Sequence, residues 1–168
     1  MSYDYKNAHS LADKKVIVTG AGGNLGAEIC RGLTAMGASV LATDISADKG
    51  MAVVEELTAA GASAHFLQHD VTNESQWEAA VATAVSKMGG LNGVINNAAI
   101  VPMQYLADLD VEEFKQVQNV NVAGSMLGCK HGLRTMRPEG SAGGGGSIIN
   151  MSSVMGLAGT IALASYNS

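Results

Sequence analysis

Residues 15–26, KVIVTGAGGNLG, leave this chain few folds to choose from. Val16, Ile17 and Val18 form a short β-branched run that stops at Thr19-Gly20. A parallel strand covered on both faces reads this way, because neither face needs polar residues. A glycine-dense turn, Ala21 to Gly26, then leads into Ala27-Glu28-Ile29-Cys30-Arg31-Gly32-Leu33, whose apolar residues recur at helical spacing. Strand, turn and helix in this order make a phosphate cradle. Glycines let the backbone turn sharply and approach a pyrophosphate, and the helix start offers free N–H groups and a positive dipole end. Gly20, Gly23, Asn24, Leu25 and Gly26 are the candidate contacts. Turns of this kind that bind nothing also exist, so the context must decide.

The context begins with Ala38 to Asp44, which reads as a second strand closed by an acid 18 residues after Gly26. A carboxylate there can accept both hydroxyls of an adenosine ribose and would repel a 2′-phosphate, which favours NAD over NADP. Ile45 beside it joins the candidate contacts. Asp44 also has a plainer reading, as a turn or helix-capping residue. Asp48 to Ala60 reads as a helix with Val53, Val54 and Leu57 inward, stopped by Gly61. Ala62 to Gln68 is a third strand, ending at His69-Asp70-Val71-Thr72. Asp70 is a candidate for an adenine amino group, with Val71 beside it, or a cap for the helix Asn73 to Met88. His65 and His69 have no carboxylate or cysteine partner at ligand spacing; they read as structural or exposed, and no metal site is expected.

Leu91 to Asn96 makes a fourth strand running into Asn97-Ala98-Ala99, where small side chains leave room for a flat ligand. After the loop Ile100 to Leu109 comes a helical pattern from Val111 to about Met136, interrupted by Asn121 and Gly124. A mid-helix glycine costs about 1 kcal/mol, and such a local rule break marks a functional position or close packing. Pro138 to Gly146 is a flexible connection, Ser147 to Met151 a fifth strand, and a small-residue loop follows to Tyr166. Strand and helix alternating in this way predict one α/β domain over 1–168, with an N-terminal arm at 1–12. Its sheet is a doubly wound parallel (Rossmann) sheet of order 3-2-1-4-5, with a ligand crevice where strands 1 and 4 diverge.

Composition narrows what the crevice holds. The 168 residues are 47% hydrophobic and 15% charged, which is globular. A net charge of −5 without a basic cluster argues against nucleic acid and anionic membrane as partners. No apolar run reaches membrane-spanning length, and Met1 to His9 lacks the apolar core of a signal peptide, so a cytoplasmic protein is expected. Cys30 and Cys129 lie in apolar helical patterns and are expected to be buried thiols.

Taken together, Thr19 to Gly26, Asp44, Asp70, Asn96-Asn97-Ala98-Ala99, Asn121-Val122-Ala123-Gly124, Ser153 and Tyr166 give a chain that resembles the short-chain dehydrogenases/reductases from about Lys14 to its last residue. There is one departure. The compact, single-domain branch spells its turn TGxxxGxG, and Asn24 stands at the middle glycine; Gly20, Gly23 and Gly26 instead match TGxxGxxG of the extended, epimerase-like branch. Asn24 is expected to tolerate a left-handed backbone. The NNAA run and a serine 13 residues before the tyrosine resemble the compact branch, which is the assignment taken.

The resemblance implies an NAD-dependent oxidoreductase that interconverts a secondary alcohol and a ketone, working as a homo-oligomer. Tyr166 would be the general acid/base, Ser153 would hold the substrate oxygen, and Asn121 would anchor a water in the proton relay. Neutral hydroxyl donors suit the alkoxide charge that develops during hydride transfer. The family's lysine, four residues after the tyrosine, would fall two residues past Ser168, together with a further helix and the last two strands. The 168 residues alone are therefore expected to be inactive or weak, with strand 5 left as an apolar edge through Ile148 and Ile149. Apolar stretches at Ile100 to Leu109 and Val154 to Leu157 favour a hydrophobic alcohol. Two other functions stay open: a non-catalytic NAD-binding module, and an extended-branch epimerase or dehydratase that recycles NAD without net NADH.

Overall fold

A computed structural model describes residues 9–167; residues 1–8, most of the predicted arm, and Ser168 lie outside the described residues. The strands are β1 (Lys15–Thr19), β2 (Ser39–Asp44), β3 (Ala64–Gln68), β4 (Gly93–Asn96) and β5 (Ser147–Asn150). The helices between them are α1 (Asn24–Ala35), α2 (Ala47–Ala59), α3 (Glu74–Met88), α4 (Val111–Gln118) and α5 (Ser125–Met136). The strands form one sheet of order β3-β2-β1-β4-β5, parallel throughout, as the alternation predicts.

Successive residues of β1 feed opposite cores, because side chains alternate across a strand. Val16 and Val18 pack with Cys30, Val40, Val53 and Leu57 on the α1/α2 side. Ile17 packs with Leu41, Trp77, Leu91, Val94 and Leu127 on the α3/α5 side. Each such fully buried Val, Leu or Ile contributes about 1.5–3 kcal/mol, and a strand with no wet face needs the unbroken apolar run seen in the sequence. The chain leaves β3 at one edge and, through α3, re-enters on the far side of β1 as β4. The C-terminal ends of β1 and β4 therefore diverge into a crevice.

The capping of α3 differs from expectation. Asn73 caps it, its side chain accepting from Gln76 N at 3.2 Å, and Gly89 closes it with φ +75°. Asp70 instead forms the preceding turn, its Oδ1 accepting from Thr72 N (2.9 Å) and Thr72 Oγ1 (2.8 Å). The interruption foreseen at Asn121 and Gly124 is a π-helical stretch, Asn119–Gly124, joining α4 to α5. Close packing explains the glycine: a Cβ at Gly124 would lie 2.8 Å from Val71 Cγ2.

Cys30 is buried as expected, and burial pushes its thiol up to about 12. Cys129 is only half-buried, its Sγ 3.5 Å from Asn150 Oδ1, because the helix face it occupies meets the polar end of β5. Along β5, Ile148 packs on the second core while Ile149 stands 49% exposed, the apolar edge that was expected.

Candidate active site

The crevice is built from backbone first. Gly20 ends β1 with φ +64°, the left-handed region that favours glycine, and a Cβ there would come 2.9 Å from Ala98 Cα. Gly26 faces back onto the same turn, where a Cβ would overlap the Gly20 carbonyl. Asn24 needs no left-handed tolerance. It is the exposed first residue of α1, and the positive φ falls on Gly20 instead. The first helical bond is Ala27 N to Gly23 O, so the N–H groups of Asn24, Leu25 and Gly26 precede the ladder at the crevice.

Thr19, which the sequence offers only as the opening residue of the turn motif, stitches β1 to β4. Its Oγ1 accepts from the N–H groups of Asn97 and Ala98, both at 3.0 Å, and Asn97 Nδ2 donates to Thr19 O at 2.9 Å. Asp44 is a turn residue that also lies on the cleft. Its Oδ2 accepts from Gly22 N at 2.8 Å and its Oδ1 from Ser46 N at 2.9 Å, while the residue borders the crevice. Below lies His69, fully buried. Its Nδ1 is 3.2 Å from Thr43 Oγ1, its ring is edge-on to Trp77, and burial pulls its pKa down to about 4.

The resulting cleft is about 490 Å³, and every predicted cofactor contact lines it: the glycine turn with Asn24 and Leu25, then Asp44 and Ile45, Asp70 and Val71, and Asn97 to Ala99. Tyr166 borders it as well. Ala98, Ala99 and Tyr166 also border a second, smaller cleft of about 170 Å³, which brings in Asn121 and Ser153. Ser153 Oγ accepts from Met155 N at 3.2 Å as the cap of the short turn Val154–Gly156, leaving its O–H free to donate. Asn121 has both amide ends on one residue: Oδ1 accepts from Ile100 N (2.9 Å) and Nδ2 donates to Ile100 O (3.0 Å). The side chain clamps the loop after β4, and each amide end keeps one further bonding site, a second N–H and a second lone pair.

The model of the short chain dehydrogenase family matches residues 14–168. The chain belongs to that family. It is 39% identical to the 3-alpha-(or 20-beta)-hydroxysteroid dehydrogenase of Mycobacterium tuberculosis over 93% of this chain and 57% of that protein. It is 35% identical to the cyclopentanol dehydrogenase of Comamonas testosteroni over 92% of this chain and 60% of that protein. Among solved structures, a short-chain type dehydrogenase/reductase from Mycobacterium marinum superposes with a TM-score of 0.92 at 26% identity, covering 98% of this chain and 66% of that one. The chain thus spans about 57–62% of the length of the curated relatives it matches. Membership in this family implies a nicotinamide cofactor, and the cleft fits one: glycines whose missing side chains leave the backbone open, unladdered N–H groups at the start of α1, and an acid, Asp44, on the same lining. Among the described residues no helix is long and apolar enough to cross a membrane.

Proposed function

We propose that the whole protein is an NAD-dependent oxidoreductase interconverting a neutral, apolar secondary alcohol and its ketone, acting in the cytoplasm as a homo-oligomer. The observation that carries this is the convergence of Asn121, Ser153 and Tyr166 on a cleft that shares Ala98 and Ala99 with the dinucleotide cleft. When bound, the cofactor supplies the hydride acceptor or donor. Asp44 keeps lone pairs beyond its two backbone bonds and takes the adenosine ribose hydroxyls, which places a negative charge where the 2′-phosphate of NADP would sit.

The proton chemistry belongs to the chain. In oxidation Tyr166, as its phenolate, takes the proton of the substrate hydroxyl, and in reduction the neutral phenol gives its proton to the forming alkoxide. Ser153 donates to the same oxygen, stabilising its developing charge. Asn121 positions the loop at Ile100, and a relay water would fall to its backbone carbonyl, which already accepts from Ser125 Oγ at 2.9 Å. Ile100 on the first cleft and Met151 on both supply apolar walls near the reacting end. The hydroxysteroid and cyclopentanol dehydrogenases among the relatives agree with a cyclic substrate.

The test is NADH formation by the full-length protein with cyclopentanol or a hydroxysteroid. Tyr166→Phe should cut turnover by about 10²–10⁴-fold while leaving NAD affinity unchanged. A Tyr166→Phe protein with undiminished turnover contradicts the reading, and turnover of a substrate without net NADH points to the epimerase class instead.

A further inference from the structure

Tyr166 follows a stretch, residues 157–165, that belongs to no helix or named strand, so its placement depends on what that stretch is tied to. The tie is Gln104. Its main chain forms a parallel bridge at Leu163: Gln104 N–H donates to Ala162 O at 2.7 Å, and Gln104 O accepts from Ala164 N at 3.4 Å. Directly after the bridge, Leu163 O accepts the N–H groups of Tyr166 (3.1 Å) and Asn167 (2.9 Å). The tyrosine therefore sits in a turn that starts on the bridged residue. Ala162 is held at φ +64°, a conformation alanine avoids in isolation, which fits a segment fixed from outside.

The side chain of Gln104 reaches the other way. Its Oε1 accepts from Asp110 N at 3.1 Å and its Nε2 donates to Glu113 Oε2 at 3.1 Å, both at the start of α4. The same helical run continues into the π stretch that carries Asn121. Half-buried Gln104 thus joins the start of the helical run bearing Asn121 to the strap bearing Tyr166, upstream of the contact that Gln118 makes at Ser165.

We propose that Gln104 is a positioning residue for Tyr166, holding the tyrosine in register with Asn121; the inference rests on Tyr166 as the proton-transfer group. Gln104 touches neither cleft's reacting atoms and acts only through the strap.

The test reverses the polarity of the Gln104–Glu113 bond in the full-length protein. Gln104→Glu sets two carboxylates against each other, and adding Glu113→Gln returns a donor to face the new carboxylate. Gln104→Glu should lower kcat about tenfold, as a misplacement well under 1 Å does, and speed amide hydrogen exchange at Tyr166 and Asn167 while NAD affinity stays unchanged. The double variant should recover both. Gln104→Ala, which removes both side-chain bonds without adding charge, should show the same losses and serves if the charged variant does not fold. Unchanged kcat and exchange in the single variants, or a double variant as impaired as Gln104→Glu, overturns the proposal. Failure of the underlying reading shows elsewhere, as full turnover by Tyr166→Phe.

Discussion

Asp44 at the end of β2 holds the glycine turn by its main chain, its Oδ2 accepting the Gly22 N–H at 2.8 Å. The residue expected to choose the cofactor is therefore also part of the cradle's frame. Asp44→Ala should cost about 1–3 kcal/mol of stability through the orphaned N–H groups of Gly22 and Ser46. It should also narrow the preference for NAD over NADP by about tenfold or more, as loss of a charge facing phosphate implies. Dissociation constants for both nucleotides check this. An unchanged ratio would reduce Asp44 to a turn residue.

Two glycines of α1 should respond in opposite directions. A Cβ at Gly26 overlaps the Gly20 carbonyl, so Gly26→Ala must shift the turn, at a cost of about 1–3 kcal/mol, with loss of NAD binding. A Cβ at Gly32 meets nothing within 4 Å, so Gly32→Ala should stabilise by about 0.5–1 kcal/mol and leave binding alone. Urea unfolding of both variants, with a nucleotide titration, separates them.

His69 ties stability to pH. Burial holds the folded imidazole neutral down to about pH 4, whereas the unfolded chain protonates near 6.5. Between these values the unfolded state binds more protons, so stability falls as pH drops from 6.5 towards 4, by up to about 3 kcal/mol. His69→Asn removes this titration. The difference between wild-type and variant unfolding curves should slope over that range and be flat above it; parallel curves would refute the burial effect. Glu56 and Glu74, held low by hydrogen bonds from Arg31 and from Lys130 respectively, lose their contribution at more acid pH, and as exposed groups they contribute little.

Asn121→Ala deletes both bonds to the Ile100 backbone. The expected cost is about 2 kcal/mol, together with a fall in kcat as the loop after β4 loosens. Asn121→Asp should recover little, because a carboxylate oxygen would then face the Ile100 carbonyl. Equal kcat in wild type and Asn121→Ala would leave the clamp purely structural.

Strand order was legible because β1 and β2 carry unbroken apolar runs bounded by glycine and acid, a pattern only a doubly covered parallel sheet explains. The break at Asn121 and Gly124 was legible as a break; its π geometry and the close approach of Gly124 to Val71 were not, since Val71 lies far along the chain and no local pattern encodes it. Asn24 was expected to tolerate a left-handed backbone, yet the positive φ falls on Gly20, because α1 begins at Asn24, three residues before the Ala27 start read from the sequence. The stitching role of Thr19 and the bridge at Gln104 went unread for a common reason. Their partners lie far along the chain, Asn97 and Ala98 for one and Ala162 and Ala164 for the other, so spacing gives no signal.

Titration with NAD and NADP tests the dinucleotide cleft most directly. Trp77, the chain's single tryptophan, packs edge-on against His69 with ring centroids 4.5 Å apart, and His69 borders the cleft, so its fluorescence offers a built-in reporter beside calorimetry. We expect saturable binding of NAD at one site per chain, competition by adenosine, and NADP weaker by about tenfold or more. No saturable binding of either nucleotide at millimolar concentration, or tighter binding of NADP, would contradict the assignment of this cleft.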